Sequence, residues 1–196
     1  MSELILASGS QIRRDILLRA AVPFSVSKAR VDEQVLKDQN DHLTPADMAL
    51  FLGKQKALEV SQCHADRLVL GADQTMELDG QLLDKLPDAS LAADRLRSMR
   101  GRSHKLHSGL ALARNGDIVW SHAQTSTLHV RQFSDEFLDF YLRTAGEELT
   151  LAVGAYAYEA LGAQLFDRVE GDYYAVLGLP LSPLLSALRD FGICLR

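Results

Sequence analysis

Cysteine is scarce: Cys63 and Cys194 are the only two, far apart and outside any CxxC or Cys/His ligand spacing. That argues against a disulfide framework and a structural zinc site, and it fits a reducing cytoplasm. Long apolar runs are missing too. No stretch approaches membrane-spanning length, and the opening Leu4-Ile5-Leu6-Ala7 has neither the basic flank nor the long apolar core of a secretion signal. A soluble cytoplasmic protein with no membrane partner is expected. Positive charge is in deficit, with 21 Lys and Arg against 26 Asp and Glu for a net charge of −5. The basic residues are also scattered, which argues against duplex nucleic acid as a partner. An acidic protein that binds a polyanion must gather its few cations at one site or recruit a divalent metal.

The common phosphate motifs are absent as well. Gly53-Lys54 is followed by Gln55 where a P-loop needs Ser or Thr, and no GxGxxG occurs, which disfavours Walker and Rossmann folds. His104 and His107 invite a metal reading, but on a strand they point to opposite faces, so ordinary surface or structural histidines are expected.

What is present is a globular composition, 47% hydrophobic and 24% charged over 196 residues, with no repeat, low-complexity tract or linker. One domain over 1–196 is expected. Residues 4–8 read as a buried strand, Ser10 as the cap of a helix over 11–21, and 24–28 as a strand followed by a polar loop. Thr44-Pro45-Ala46-Asp47 supplies cap, N1 proline and a capping-box-like acid for a helix to about Cys63. Leu68–Ala72 is a buried strand that ends in the polar step Asp73-Gln74-Thr75. Asp79-Gly80 and Asn115-Gly116 are hairpin turns, so the sheet is mixed. Helices are expected over Ser90–Arg100, from Ser134 to near Gly146, and over Leu184–Phe191, with strands at 163–169 and 173–177. The fold class is α/β, a mixed twisted sheet flanked by helices.

Asp73 is the strongest single signal. An acid directly after five apolar strand residues is partly buried and must be hydrogen-bonded, paired or metal-bound. Taken alone it is either functional or a structural cap of a backbone turn. Ser8-Gly9-Ser10 with Arg13 and Arg14 offers N–H groups, hydroxyls and guanidinium near a helix N-terminus, either an anion site or a capped helix with solvated arginines. Lys54, Lys56 and Lys85 taken singly read as solvated lysines, Glu33 is anonymous, and Gly178-Leu179-Pro180-Leu181 reads as a rigid turn into the last helix.

The order of these segments along nearly the whole chain resembles the Maf family. Leu4–Ser10 with Arg13-Arg14 and Leu17-Leu18 is similar to "LILASxSPRRxxLL", Val31-Asp32-Glu33 to "VDE" and Lys54-Gln55-Lys56-Ala57 to "xxKA". Leu70–Gln74 is similar to "IGADT" or "IGSDQ", Asp79–Lys85 to "DGxxxxKP", Gly101–His104 to "SGRxH", and Val169–Leu181 to "IxGDYxxVxGLPL". Three departures stand out: Gln11-Ile12 replaces Pro-Arg or Pro-Trp, Leu86 separates Lys85 from Pro87, and Tyr156–Ala160 replaces "YGIQG".

The resemblance implies an inosine-triphosphate-pyrophosphatase-like (Maf/Ham1) architecture with a cleft between two lobes. It also implies hydrolysis of a nucleoside triphosphate to the monophosphate and pyrophosphate. Asp73 would be the general base, Glu33 and Asp73 would hold Mg²⁺ or Mn²⁺, and Ser8, Arg13, Lys56 and Lys85 would bind the triphosphate. Ile12, Gln74 and Glu159 fall on the positions that choose the base. Gln74 and Glu159 point to the 7-methyl-GTP branch over the dTTP and UTP branch, and the family suggests a homodimer. The competing class is a non-catalytic nucleotide-binding regulator of septum formation, against which Asp73 argues, because a carboxylate beside a triphosphate hinders binding but activates water.

Overall fold

A computed structural model of the chain describes residues 3–195. In chain order, β1 (Leu4–Leu6) leads to α1 (Gln11–Arg19) and β2 (Phe24–Val26). Two helices follow, α2 (Glu33–Gln39) and α3 (Pro45–Ser61). Then come β3 (Val69–Leu78), β4 (Gln81–Leu83), α4 (Ala92–Met99), β5 (Ser103–Arg114) and β6 (Asp117–Val130). The chain ends with α5 (Asp135–Thr144), α6 (Glu148–Leu151), β7 (Phe166–Glu170), α7 (Tyr173–Val176) and α8 (Leu181–Asp190). The strands form one mixed sheet in the order β2-β1-β3-β5-β6-β7, with β4 paired to β3. β1 runs parallel to β2 and β3, with Leu6 opposite Val26 and Leu70, while β3 and β4 are antiparallel. Among the described residues no helix is long and apolar enough to cross a membrane.

Local signals set several boundaries. The Thr44 hydroxyl accepts the Asp47 N–H at 3.1 Å and donates to the Asp47 carboxylate at 2.7 Å, starting α3 as expected. Both residues of each turn, Asp79-Gly80 and Asn115-Gly116, have positive φ, the I′ geometry that matches strand twist. Ser134 caps α5 by accepting the Phe137 N–H at 3.1 Å.

Other expectations are corrected. Ser10 stands at the head of α1 but makes no side-chain capping bond. Residues after Glu33 form α2 in place of a polar loop, capped by Asp32, which accepts the Gln34 and Val35 N–H groups at 3.1 Å. The β3 strand does not stop before Asp73 but runs on to Leu78. Residues 173–176 are helical, not extended, because the Asp172 carboxylate accepts the Ala175 N–H at 2.9 Å and closes a first turn. The expected strand at 163–169 begins only at Phe166, after a 3₁₀ turn over Leu161–Leu165.

Contacts divide the chain into two compact units. The first holds the residues up to Gln74, His107–Gln124 and those from Asp172 on; the second holds Thr75–Leu106 and Thr125–Gly171. In the first unit the two faces of β3 do different work, because side chains alternate along a strand. Leu68, Leu70 and Ala72 pack with Ile16 and Leu17 of α1 and Leu184 and Leu188 of α8. Val69 packs with Val60 of α3 on the opposite face. There the sheet and helix touch through glycines: a Cβ on Gly71 would overlap the Gly53 carbonyl oxygen and lie 2.5 Å from the Ala57 nitrogen. A Cβ on Gly53 would in turn lie 2.8 Å from the Gly109 carbonyl oxygen of β5.

Candidate active site

The alternation of β3 sends Asp73 to the side of Val69 and Gly71, toward α3, and Gln74 to the side of Leu70 and Ala72. On α3 the buried stripe runs through Ala49, Gly53, Lys56, Ala57 and Val60, so Lys56 occupies a position that the helical period would give to an apolar residue. The close approach at Gly71 and Gly53 lets it reach the strand. Its Nζ lies 2.5 Å from Asp73 Oδ1 and 2.8 Å from Glu33 Oε1, at the start of α2. One ammonium thus joins two carboxylates; Asp73 and Lys56 are 7% and 8% exposed. Burial raises the Asp73 pKa above the ordinary carboxylate range, against the attraction of Lys56 and Arg13.

Arg13 likewise shares the buried face of α1 with Ile16 and Leu17. A guanidinium there must be satisfied. Its Nε donates to the Gly178 carbonyl at 3.0 Å, and Nη1 donates to the Ala72 carbonyl at 2.9 Å and to Ser8 Oγ at 3.1 Å. Burial lowers the Arg13 pKa, while Asp73 and Glu33 oppose that shift, and an arginine remains charged throughout. Ser8 Oγ also accepts the Ser10 N–H at 3.2 Å. Having accepted twice, this hydroxyl keeps its own proton to donate to an anion.

Ser8, Arg13, Glu33, Lys56 and Asp73 therefore gather in the first unit: two cations, one carboxylate and a hydroxyl are buried, and the exposed Glu33 joins them from the start of α2. Gln74 belongs to the same unit but to the other sheet face. Ile12 packs partly buried against the apolar core. Lys85 and Glu159 belong to the second unit, and both are exposed. The segment leading to Glu159 is fixed at two successive residues: Tyr141 Oη donates to the Ala155 carbonyl at 3.1 Å, and the Tyr156 hydroxyl meets His104 Nε2 at 2.6 Å. His104 is a structural residue, packed on Tyr156 and Phe166 and held neutral by burial, its pKa pushed down to about 4. His107 is buried as well.

The carbonyls of Ala72 and Gly178 are parts of the Arg13 cradle that the sequence reading passed over. Gly178 had a signal, since its φ of +85° favours glycine and aims the carbonyl at Arg13. Among the described residues no group of three or more His, Cys, Asp or Glu side chains could hold a metal ion. Glu33 and Asp73 are thus the protein carboxylates to consider, and they already converge on the positive charge of Lys56. Two carboxylates supplemented by phosphate and water oxygens are a donor set that suits a hard divalent cation.

The chain is similar over nearly its whole length to known proteins. A family model described as Maf-like protein matches residues 3–191. A nucleoside triphosphate pyrophosphatase of Maricaulis maris (strain MCS10) is 65% identical over 193 residues, 98% of either chain. A 7-methyl-GTP pyrophosphatase of Rhizobium meliloti (strain 1021) is 45% identical over 191 residues, 96% of either chain. A solved nucleoside-triphosphatase, a dITP/XTP pyrophosphatase from Mycobacterium abscessus, aligns with 67% of this chain and 75% of its own at a TM-score of 0.41 and 15% identity. With its family model spanning nearly the whole length, the chain belongs to the Maf-like protein family.

Proposed function

We propose that this chain hydrolyses the α–β phosphoanhydride bond of a nucleoside triphosphate, releasing the nucleoside monophosphate and pyrophosphate. The observation that carries the reading is the buried Asp73, placed by β3 against Lys56 and close enough to Arg13 to feel its charge. A carboxylate whose pKa is raised holds a proton better than an ordinary Asp, which makes it a stronger base toward water. Asp73 takes a proton from a water molecule whose oxygen forms the new P–O bond. The α–β anhydride bond breaks, and its electron pair leaves with pyrophosphate. Arg13, Lys56 and Lys85 offset the charge of the phosphates, and the free Ser8 proton holds a phosphate oxygen.

Glu33 and Asp73 would hold Mg²⁺ or Mn²⁺, which when bound neutralises phosphate charge and acidifies water. Excess chelator is expected to lower turnover by roughly tenfold or more, with recovery on adding Mg²⁺ or Mn²⁺. Pyrophosphate release that is unchanged after rigorous metal removal rules this out.

The preferred base is a 7-methylated guanine. A carboxylate at Glu159 accepts from the guanine N1–H and 2-amino groups together, and its charge suits the cationic ring, whereas a uracil or thymine edge turns two carbonyl oxygens toward it. The relative named 7-methyl-GTP pyrophosphatase supports this choice. Measured side by side, kcat/KM for 7-methyl-GTP is expected to exceed that for GTP, dTTP and UTP by roughly tenfold or more, and Glu159→Gln is expected to erode the margin. Fastest hydrolysis of dTTP or UTP would overturn the base assignment and leave the hydrolysis intact.

A further inference from the structure

Gln74 is next to Asp73 in sequence but lies on the opposite face of the sheet. Its Nε2 lies 3.0 Å from the Ala175 carbonyl, 3.0 Å from the Val176 carbonyl and 3.2 Å from Ser108 Oγ. Two of these partners can only accept, which fixes the amide nitrogen on this side. Ser108 Oγ donates in turn to the Ala175 carbonyl at 2.8 Å. The two carbonyls belong to the last residues of α7, and that of Ala175 also accepts the Gly178 N–H at 3.0 Å. Two residues beyond Val176 stands Gly178, whose carbonyl receives Arg13 Nε at 3.0 Å. The turn is closely packed: a Cβ on Gly178 would meet Arg13 Nη2 at 3.4 Å and the Gln74 amide carbon at 3.5 Å.

We propose that Gln74 is a positioning residue for Arg13, acting through the C-terminal end of α7 and the Gly178 carbonyl, and that it serves the triphosphate whatever the base. The inference rests on the reading of Arg13 as a phosphate ligand. Both amide protons of Gln74 face α7 and Ser108, so the donor group of this side chain is committed to the protein. A shorter hydroxyl side chain at this position lacks the reach to cross from β3 to both carbonyls.

The test compares wild type with Gln74→Ala, Gln74→Glu, Arg13→Ala and the Arg13→Ala/Gln74→Ala double variant. The readouts are kcat and KM for 7-methyl-GTP and UTP and inhibition by inorganic pyrophosphate, a ligand without a base. Gln74→Ala is expected to lower kcat/KM for both substrates by about tenfold while their ratio stays within about twofold, and to weaken pyrophosphate inhibition. Gln74→Glu, which keeps the size but presents an acceptor to two carbonyls, should do no better than Ala. The double variant should be no worse than Arg13→Ala, because the two residues act as one unit. A substrate ratio shifted by about fivefold or more with pyrophosphate inhibition intact would make Gln74 a base reader and overturn the proposal. Multiplying losses in the double variant overturn it as well. Wild-type kinetics for Arg13→Ala would remove the phosphate-ligand reading and the proposal with it, a distinct result. Should Gln74→Ala not fold, Gln74→Met keeps the length without the donor and is read the same way.

Discussion

Asp73→Asn is expected to lower turnover by about two orders of magnitude or more, the scale of a lost general base, with the fold intact. Asn keeps the shape and can still accept a hydrogen bond from Lys56, which also retains Glu33 at 2.8 Å. The stability change has a definite sign. The folded-state pKa of Asp73 is raised by burial. The stability its protonated form confers is therefore present below the unfolded pKa and lost as pH rises through the folded one. Asn does not titrate, so the melting temperature of the Asn variant should lack the part of the pH dependence that Asp73 gives wild type, a loss of stability as pH rises. Catalysis gives the complementary signature: the acid limb of wild-type kcat/KM should fall at a pH above the ordinary Asp range and be absent from the residual activity of the variant. A purified Asp73→Asn protein with near-wild-type turnover, or an acid limb in the ordinary carboxylate range, would sink the assignment.

The sequence was most legible where a structural choice is local. Thr44-Pro45-Ala46-Asp47 starts α3 because the cap, the N1 proline and the reciprocal hydroxyl–carboxylate contact all lie within four residues. Asp79-Gly80 and Asn115-Gly116 announce hairpins because few other pairs tolerate two positive φ angles in succession. The α2 helix was invisible for the opposite reason: none of its residues is buried, so no apolar period marks it. At Tyr173–Val176 the residue types favour a strand, and a single carboxylate at Asp172 decides for a turn of helix.

The site was legible as an ordered set of motifs, but its depth was not. Arg13, Lys56 and Asp73 all sit at positions where α1, α3 and β3 present buried faces, and a charged residue in that phase looks like an error in the pattern until its partner is known. The partners come from elements distant in sequence, and two of them are main-chain carbonyls, at Ala72 and Gly178, which carry no residue identity to read. The same limit applies to Gln74: strand alternation puts it on the face opposite Asp73, but two of its partners there are the main-chain carbonyls of Ala175 and Val176.

Gly71→Ala is expected to damage both the fold and the activity, because the contact that brings Lys56 to Asp73 is made between backbones. The added Cβ would overlap the Gly53 carbonyl oxygen and lie 2.5 Å from the Ala57 nitrogen and 2.8 Å from the Ala57 Cβ. Neither backbone atom can swing aside as a side chain would. The helix must lift from the sheet, which withdraws Lys56 from Asp73 and opens the packing of Val60 on Val69. Overpacking of this kind costs about 3 kcal/mol or more. Against a total stability of roughly 5–15 kcal/mol, that is a large fraction. At roughly 2–4 °C per kcal/mol for a chain of this size, the melting temperature should fall by about 6–12 °C, or the protein should not accumulate in folded form. Gly80→Ala is the control, since Gly80 has φ of +80° but nothing within 4 Å of a built Cβ. Its penalty is limited to the left-handed backbone, about 1 kcal/mol, with Lys56 and Asp73 undisturbed. Thermal melts and pyrophosphate release measured on the two variants separate these effects: Gly71→Ala should lose both stability and turnover, and Gly80→Ala a little stability alone. Equal melting temperatures for the two, with wild-type turnover in Gly71→Ala, would show that the glycine contact does not set the position of Lys56.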